Sequence, residues 1–415
     1  MKSFFIFGDK RKTTLKHYSF RTVQFSFKQG ITFYIIFVSA KMLSSYEFGV
    51  FSFLFATIMF FTVLSDFGVS RSTSKLVTEE TVNKKHLLEK VFFNGLVIIL
   101  LFGLLCLSVL LIFKELILDE FSNYIIYMLP MVFLFPVSSL FDGYYLGQKK
   151  FDELAKVFSI AGVLALIIDT YLIINYKLIG ALISVNVFYL LLTVLFFFKH
   201  QKKIYTIHYN VIKKILSYAV LIGLPGIGFF LFTRANVYLL GKLNFIVESG
   251  YYEFIDRALI AAAFPFLMFG QVYAPTVTEK IALDKKQYVY EQFKKIFVRA
   301  VILACILALL AYFAFPQLVK IFYPTYYNDK FIEIFKILII LLPFNFISNT
   351  VNEPFIVGSG LARISLLTIP FGVLNILLSL FLVNYFSFWG ILYSNLFCSI
   401  SNKTLSYFFI YKKLK

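Results

Sequence analysis

The run IGFFLFTRANVYLLGKL (residues 227–243) places a permanently charged guanidinium, Arg234, among phenylalanines, leucines and valine. A charge at the centre of a bilayer costs at least about 2.5–3.5 kcal/mol on insertion scales, so such a residue faces a cavity, finds a partner or reaches for the interface. Arg234 lies beyond the middle of its run with apolar residues still following, which leaves both the snorkelling and the cavity-facing reading open; Asn236 adds polar capacity beside it. Just downstream, SGYYEFIDRA (249–258) sets Glu253, Asp256 and Arg257 at i, i+3 and i+4. That spacing puts them on one helical face, either as a self-neutralising Glu253–Arg257 pair or as the charged lining of a wet path. Lys28 and Lys41 interrupt the first apolar run, each close enough to an end to snorkel. The chemistry open to these cations is anion binding, and an arginine fork suits phosphate best.

Other residues form weaker patterns. Asp66, Asp142 and Glu353 close apolar runs and lie near Arg71, Lys149, Lys150 and Arg363, as expected of a charged gate or of ordinary solvated helix ends. Asp169 lies deeper in its run. Asn345, Asn349 and Asn352 share a helical face, as do Asn395, Ser399, Asn402 and Ser406, with Lys403 beside them. Such stripes line a hydrated lumen facing a hydroxyl-rich ligand, or hold helices together.

Several chemistries lack the residues they need. Cys106, Cys305 and Cys398 sit in apolar runs, and His17, His86, His200 and His208 fall in polar connections, so no metal cluster is visible and no metal or cofactor is expected. There is no paired-carboxylate site, GxSxG or phosphate-cradling glycine loop, and no connection on the expected outer side is long enough to hold a catalytic centre. An enzyme is therefore not expected. A purely structural role leaves the buried charges without a reason, whereas transport accounts for them.

What must position these residues is a membrane bundle. Of the 415 residues 60% are hydrophobic and only 15% charged, with a mean hydropathy of +0.82, against about 25% charged in soluble domains. Runs long enough to span as helix fall at about 22–43, 48–69, 91–113, 124–147, 154–175, 178–198, 215–241, 251–275, 296–315, 331–357, 364–385 and 388–410. The net charge of +18 follows topology rather than nucleic-acid binding: 29 of the 40 Lys and Arg lie in the tails, in even-numbered connections or at the span ends beside them, and 6 in odd-numbered connections or at the span ends beside those. By the positive-inside rule both termini are cytoplasmic. The first twenty residues are basic and show no small-residue cleavage site, so no cleavable signal peptide is expected.

The expected class is all-α: a polytopic membrane protein of twelve transmembrane helices in two six-helix lobes around a central cavity. The expected division is a basic segment 1–21, an N-lobe 22–198, a cytoplasmic linker 199–214, a C-lobe 215–411 and a basic tail 412–415. A faint internal repeat agrees with it. FDGYYLGQKK (141–150) parallels NEPFIVGSGL (352–361), and SYEFGVFSF (45–53) parallels IVESGYYEF (246–254). Span 7 is expected to kink or unwind at Pro225-Gly226.

VSAKMLSSYEFGVFSFLFATIMFFTVLSDFGVSRSTSKLV (38–77) resembles the opening of bacterial lipid-linked oligosaccharide flippases, the O-antigen and polysaccharide transporters of the multidrug/oligosaccharidyl-lipid/polysaccharide exporter superfamily. Lys41, Phe48-Gly49 and Asp66-Phe67-Gly68 carry the likeness, with LIGLPGIG (221–228) and SGYYEFIDRA in the second half; Lys41 stands where arginine is common. The resemblance implies a flippase in the bacterial cytoplasmic membrane that moves an undecaprenyl-pyrophosphate-linked oligosaccharide repeat unit across the bilayer by alternating access, serving O-antigen, capsule or other surface polysaccharide. Arg234, Arg257, Lys41 and Lys28 would then be cavity cations for the substrate, and Asn236, Asn345, Asn349, Asn352, Asn395, Ser399 and Asn402 the polar lining. Asp66, Arg71, Asp142, Asp169, Glu253, Asp256, Glu353 and Arg363 would serve coupling or gating. Room remains for a sodium ion or proton as coupling ion, and for a polysaccharide polymerase and chain-length proteins as partners. The competing expectation is a cation-coupled multidrug exporter of the same superfamily.

Overall fold

The computed structural model describes residues 10–82, 88–200, 206–357 and 361–415. Among them all regular structure is helical, as the hydropathy pattern requires. A backbone in hydrocarbon must satisfy its own polar groups, and the helix does this within a single segment.

Fifteen α-helices follow in order: α1 (Lys10–Met42), α2 (Ser45–Asp66), α3 (Val69–Val82), α4 (Leu88–Ile112), α5 (Lys114–Leu118), α6 (Met131–Gly147), α7 (Phe151–Lys199), α8 (Tyr209–Thr233), α9 (Ala235–Lys242), α10 (Ile246–Ala282), α11 (Lys286–Phe322), α12 (Asp329–Leu338), α13 (Leu341–Asn352), α14 (Thr368–Phe386) and α15 (Trp389–Leu414). Each of the twelve expected spans falls on one of these helices, on part of one, or on a consecutive pair. Eight described helical stretches are long and apolar enough to cross a membrane, and α12 with α13, bent by 41°, makes a ninth. The 49-residue α7 supplies two spans, because Lys177 (φ 49°, ψ −124°) reverses the chain within it. α1 and α15, more polar, complete the set.

Helix ends differ from the expected ones. α1 is already helical at Lys10, the first described residue and inside the basic segment, and no proline or glycine lies between Lys10 and Gly30. α3 is an extra amphipathic helix after span 2. Span 7 remains helical through Pro225-Gly226, and its break falls at Arg234, between α8 and α9. A proline removes one backbone donor, which a helix in an apolar setting can absorb, whereas Arg234 has partners on a neighbouring helix that hold it aside.

Two compact units form: Met1–Ile35, Leu64–Val109 and Tyr127–Gly223 make unit 1, and Ile36–Val63, Leu110–Ile126 and Leu224–Lys415 make unit 2. In unit 1, α6 packs on α3 and α7 over a core that includes Leu140, Phe141, Phe158, Phe188, Leu192 and Phe196, with the Phe141 and Phe196 rings stacked at 5.3 Å. The Asp66-Phe67-Gly68 turn joins α2 to α3. Gly68 has φ +79°, and a Cβ there would stand 2.9 Å from both the Ala219 carbonyl oxygen and the Gly223 nitrogen.

Unit 2 is built on fully buried aromatics, among them Phe48, Phe51, Phe53, Tyr252, Phe254, Tyr326, Phe331 and Phe335. Here the glycines of the second repeat pair meet: a Cβ on Gly250 of α10 would lie 3.0 Å from the backbone nitrogen of Gly49 on α2. The absence of side chains at both positions lets these two helices approach at the backbone.

Candidate functional site

Unit 2 gathers the charges of spans 7 and 8. Arg234 occupies the break between α8 and α9, yet the backbone bonds on either side persist, from the Arg234 N–H to the Phe230 carbonyl at 2.8 Å and from the Tyr238 N–H to the Arg234 carbonyl at 3.2 Å. The chain is not unwound there. Arg234 Nη1 donates to Glu253 Oε2 at 2.5 Å, and Arg257 Nε, one turn along α10, donates to Glu253 Oε1 at 2.8 Å. Glu253 thus lies between two guanidinium groups, one per carboxylate oxygen. Asp256 Oδ2 stands 4.0 Å from Arg234 Nη2, too far for a hydrogen bond, and has no donor among the described residues. The side chains of Arg234, Arg257 and Glu253 are 9%, 9% and 1% exposed.

The donor balance of this cluster is uneven. Each guanidinium carries five N–H donors. Among the described residues the two arginines make one hydrogen bond each, both to Glu253. The donors that Arg234 and Arg257 leave unused have capacity for a further anion, whereas the unpartnered Asp256 oxygen calls for a donor or cation of its own.

A fully paired polar network lies beside it. The Tyr252 hydroxyl accepts from Asn236 Nδ2 at 3.1 Å and from Asn395 Nδ2 at 2.7 Å. Asn375 Nδ2 donates to Asn236 Oδ1 at 2.8 Å, Ser394 Oγ to Asn375 Oδ1 at 3.0 Å, and Ser399 Oγ to Asn395 Oδ1 at 3.2 Å. All are buried. Asn236, Asn395 and Ser399 are therefore spent on one another and on neighbours, binding α9, α10, α14 and α15 together. The other amides are less committed. Lys403 donates to Asn345 at 2.5 Å, Asn349 to the Ala263 carbonyl at 3.3 Å, and Asn352 to Ser348 at 2.6 Å. The side-chain oxygens of Asn352 and Asn402 have no donor among the described residues.

In unit 1 a second carboxylate sits between two cations. Asp142 of α6 accepts from Gln24 Nε2 at 2.5 Å and pairs with Lys28 at 3.2 Å and Arg21 at 3.5 Å. Arg21, Gln24 and Lys28 lie on one face of α1 at i, i+3 and i+7, a stripe that the sequence displays but that was expected to supply Lys28 alone. Asp66 is occupied locally, accepting from the Gly68 N–H at 3.2 Å, the Ser70 N–H at 3.3 Å and the Ser70 hydroxyl. It secures the turn and the start of α3 in the manner of a helix cap. Arg71, Lys41 and Arg363 are exposed. Asp169 is fully buried, and neither oxygen has a hydrogen-bond partner among the described residues, Ser184 being its polar neighbour. The Glu353 side chain lies outside the described residues.

Asn375 and Ser394 were not anticipated. Each is an isolated polar residue in an apolar run, without the periodic repetition that drew attention to the stripes. Among the described residues no group of three or more His, Cys, Asp and Glu side chains could hold a metal.

The helical order and the apolar spans define a polytopic membrane protein. The chain is similar to the inward-facing structure of a multidrug resistance MATE family transporter of the MOP superfamily, with a TM-score of 0.76, 13% identity, and 95% and 98% of the two chains covered. An outward-facing structure of a MATE transporter gives 0.62 at 16% identity, covering 98% and 96%. The lipid II flippase MurJ, in an inward closed conformation, gives 0.66 at 15% identity, covering 94% and 86%. At such identities the likeness is one of fold. No curated protein sequence matches the chain. Residues 15–280 match the polysaccharide biosynthesis protein family, and the chain belongs to that family.

Proposed function

We propose that this protein is a flippase that carries an undecaprenyl-pyrophosphate-linked oligosaccharide repeat unit across the bacterial cytoplasmic membrane by alternating access, with both termini cytoplasmic, for O-antigen, capsule or another surface polysaccharide. The observation that carries this reading is the pair of buried guanidinium groups, Arg234 and Arg257, joined through Glu253 and retaining unused donors. Paired arginine forks suit the oxygens of a pyrophosphate. The less committed amides of Asn345, Asn349, Asn352 and Asn402 suit sugar hydroxyls. Family membership in polysaccharide biosynthesis supports the glycan, and the fold shared with a lipid II flippase supports the lipid carrier.

The competing reading is a cation-coupled exporter, favoured by the buried carboxylate of Asp169. Deleting the gene separates the two. A flippase deletion accumulates lipid-linked repeat units on the cytoplasmic side, removes surface glycan and leaves dye sensitivity unchanged. Raised sensitivity to cationic dyes with intact surface glycan would refute the flippase. Arg234→Ala is expected to abolish glycan display while the protein still inserts. Arg234→Lys should restore little if a two-pronged phosphate contact is required, and more if charge alone suffices.

A further inference from the structure

We propose that Glu253 is a resident stand-in for the substrate's phosphate: its carboxylate holds Arg234 and Arg257 in register while the site is empty, and an entering phosphate displaces it. The inference rests on the phosphate reading above and adds the device that governs binding and release at that site.

Three observations point to it. Glu253 takes one guanidinium on each oxygen, Arg234 Nη1 at 2.5 Å on Oε2 and Arg257 Nε at 2.8 Å on Oε1. A phosphate presents oxygens with similar spacing and more charge to the same donors. Second, the pairing is incomplete. Arg257, with its side chain 9% exposed, gives a single hydrogen bond among the described residues, although a guanidinium has five donors. A purely structural ion triad is stable when its members are fully hydrogen-bonded, and this one is not. Third, the charges around the site leave room for an anion. Arg234, Arg257 and Lys403, the last within electrostatic reach of Asp256, face Glu253 and Asp256.

The position of Glu253 suits exchange. Arg234 is the residue between α8 and α9, with φ −108° and ψ −25°, and the backbone bonds on either side of it persist, so the exchange is one of side chains. Arg257 is one turn from Glu253 on the same helix, so the carboxylate can swing away while the guanidinium stays. Glu253 then sets both selectivity and release. A neutral sugar cannot displace it, a phosphate can, and its return expels the phosphate.

The test is binding of inorganic pyrophosphate and of undecaprenyl pyrophosphate to the purified full-length protein in nanodiscs, comparing wild type with E253Q and E253D. Removing the resident anion should tighten pyrophosphate binding at least tenfold in E253Q, enlarge the rise in melting temperature that pyrophosphate produces, and slow turnover through slower release. E253D keeps the charge but is one methylene shorter, and should shift in the same direction by less. It serves as the test if E253Q does not fold. A gain seen with both probes, or only with the lipid, supports displacement; in the second case the headgroup must be presented on its tail. Binding by the folded variants that is unchanged or weaker than wild type overturns the proposal and leaves the phosphate reading standing. Failure of wild type and variants alike to bind either probe overturns the phosphate reading and this proposal with it.

Discussion

Replacing Arg234 by methionine keeps an unbranched side chain in place and removes only the charge and donors. Glu253, with its side chain 1% exposed, then loses its 2.5 Å partner and keeps the 2.8 Å bond from Arg257. Breaking one side of a buried ion pair costs roughly 3–5 kcal/mol, and unit charges about 4 Å apart at an effective dielectric of about 20 interact by about 4 kcal/mol. Because Arg257 remains, the expected loss for Arg234→Met lies at the lower end, about 3 kcal/mol. Glu253→Gln should cost about as much, since it leaves two arginines facing Asp256 alone. The double variant removes one cation and one anion together, leaving Arg257 and Lys403 with Asp256, so its loss should stay near that of a single variant rather than doubling. Denaturant titration of the detergent-solubilised protein supplies the cycle, with an expected coupling of about 2–3 kcal/mol. Losses that add to within about 0.5 kcal/mol would show that Arg234 and Glu253 do not act as a pair, and would remove the basis of the cluster.

Three further outcomes follow from single residues. Gly68→Ala, at φ +79° and within 2.9 Å of backbone atoms at Ala219 and Gly223, should lower stability by about 1–3 kcal/mol; a melting temperature like that of wild type would contradict the close approach. Asp169→Asn replaces a buried carboxyl group that has no cationic partner among the described residues and should leave stability unchanged or raise it by up to about 1 kcal/mol, so a clear fall would mean that the carboxyl group is compensated. Lys28→Met should cost no more than about 1 kcal/mol, because the ammonium is 28% exposed and Arg21 and Gln24 still hold Asp142. A loss as large as that of Arg234→Met would place the two clusters on equal terms.

The spans were legible because hydrocarbon demands long apolar runs, and basic connections separate those runs clearly. The reversal at Lys177 was legible for the same reason, as a short polar gap between two such runs. Span 7 does not unwind at Pro225-Gly226 and its helix is interrupted at Arg234 instead; the sequence displays a missing backbone donor but not the side-chain partners that Arg234 meets. The Glu253–Arg257 pair followed from i, i+4 spacing, whereas its third member needed the packing of α9 against α10, which no spacing encodes. The amide stripes marked a helical face without saying what that face meets. For Asn236, Asn395 and Ser399 it meets Tyr252, Asn375 and Ser394. Single polar residues in apolar runs, such as Asn375, gave no periodic signal.

The most direct measurement is translocation in proteoliposomes. The purified protein is reconstituted with a fluorescent undecaprenyl-pyrophosphate-linked oligosaccharide, and the fraction reaching the opposite leaflet is read by quenching with a membrane-impermeant reagent. Wild type is expected to equilibrate the lipid across the bilayer, while Arg234→Ala, reconstituted to the same level, should leave it where it was placed. Translocation by the alanine variant at the wild-type rate, or transport of a cationic dye by a wild-type protein that leaves the lipid-linked glycan in place, would contradict the account.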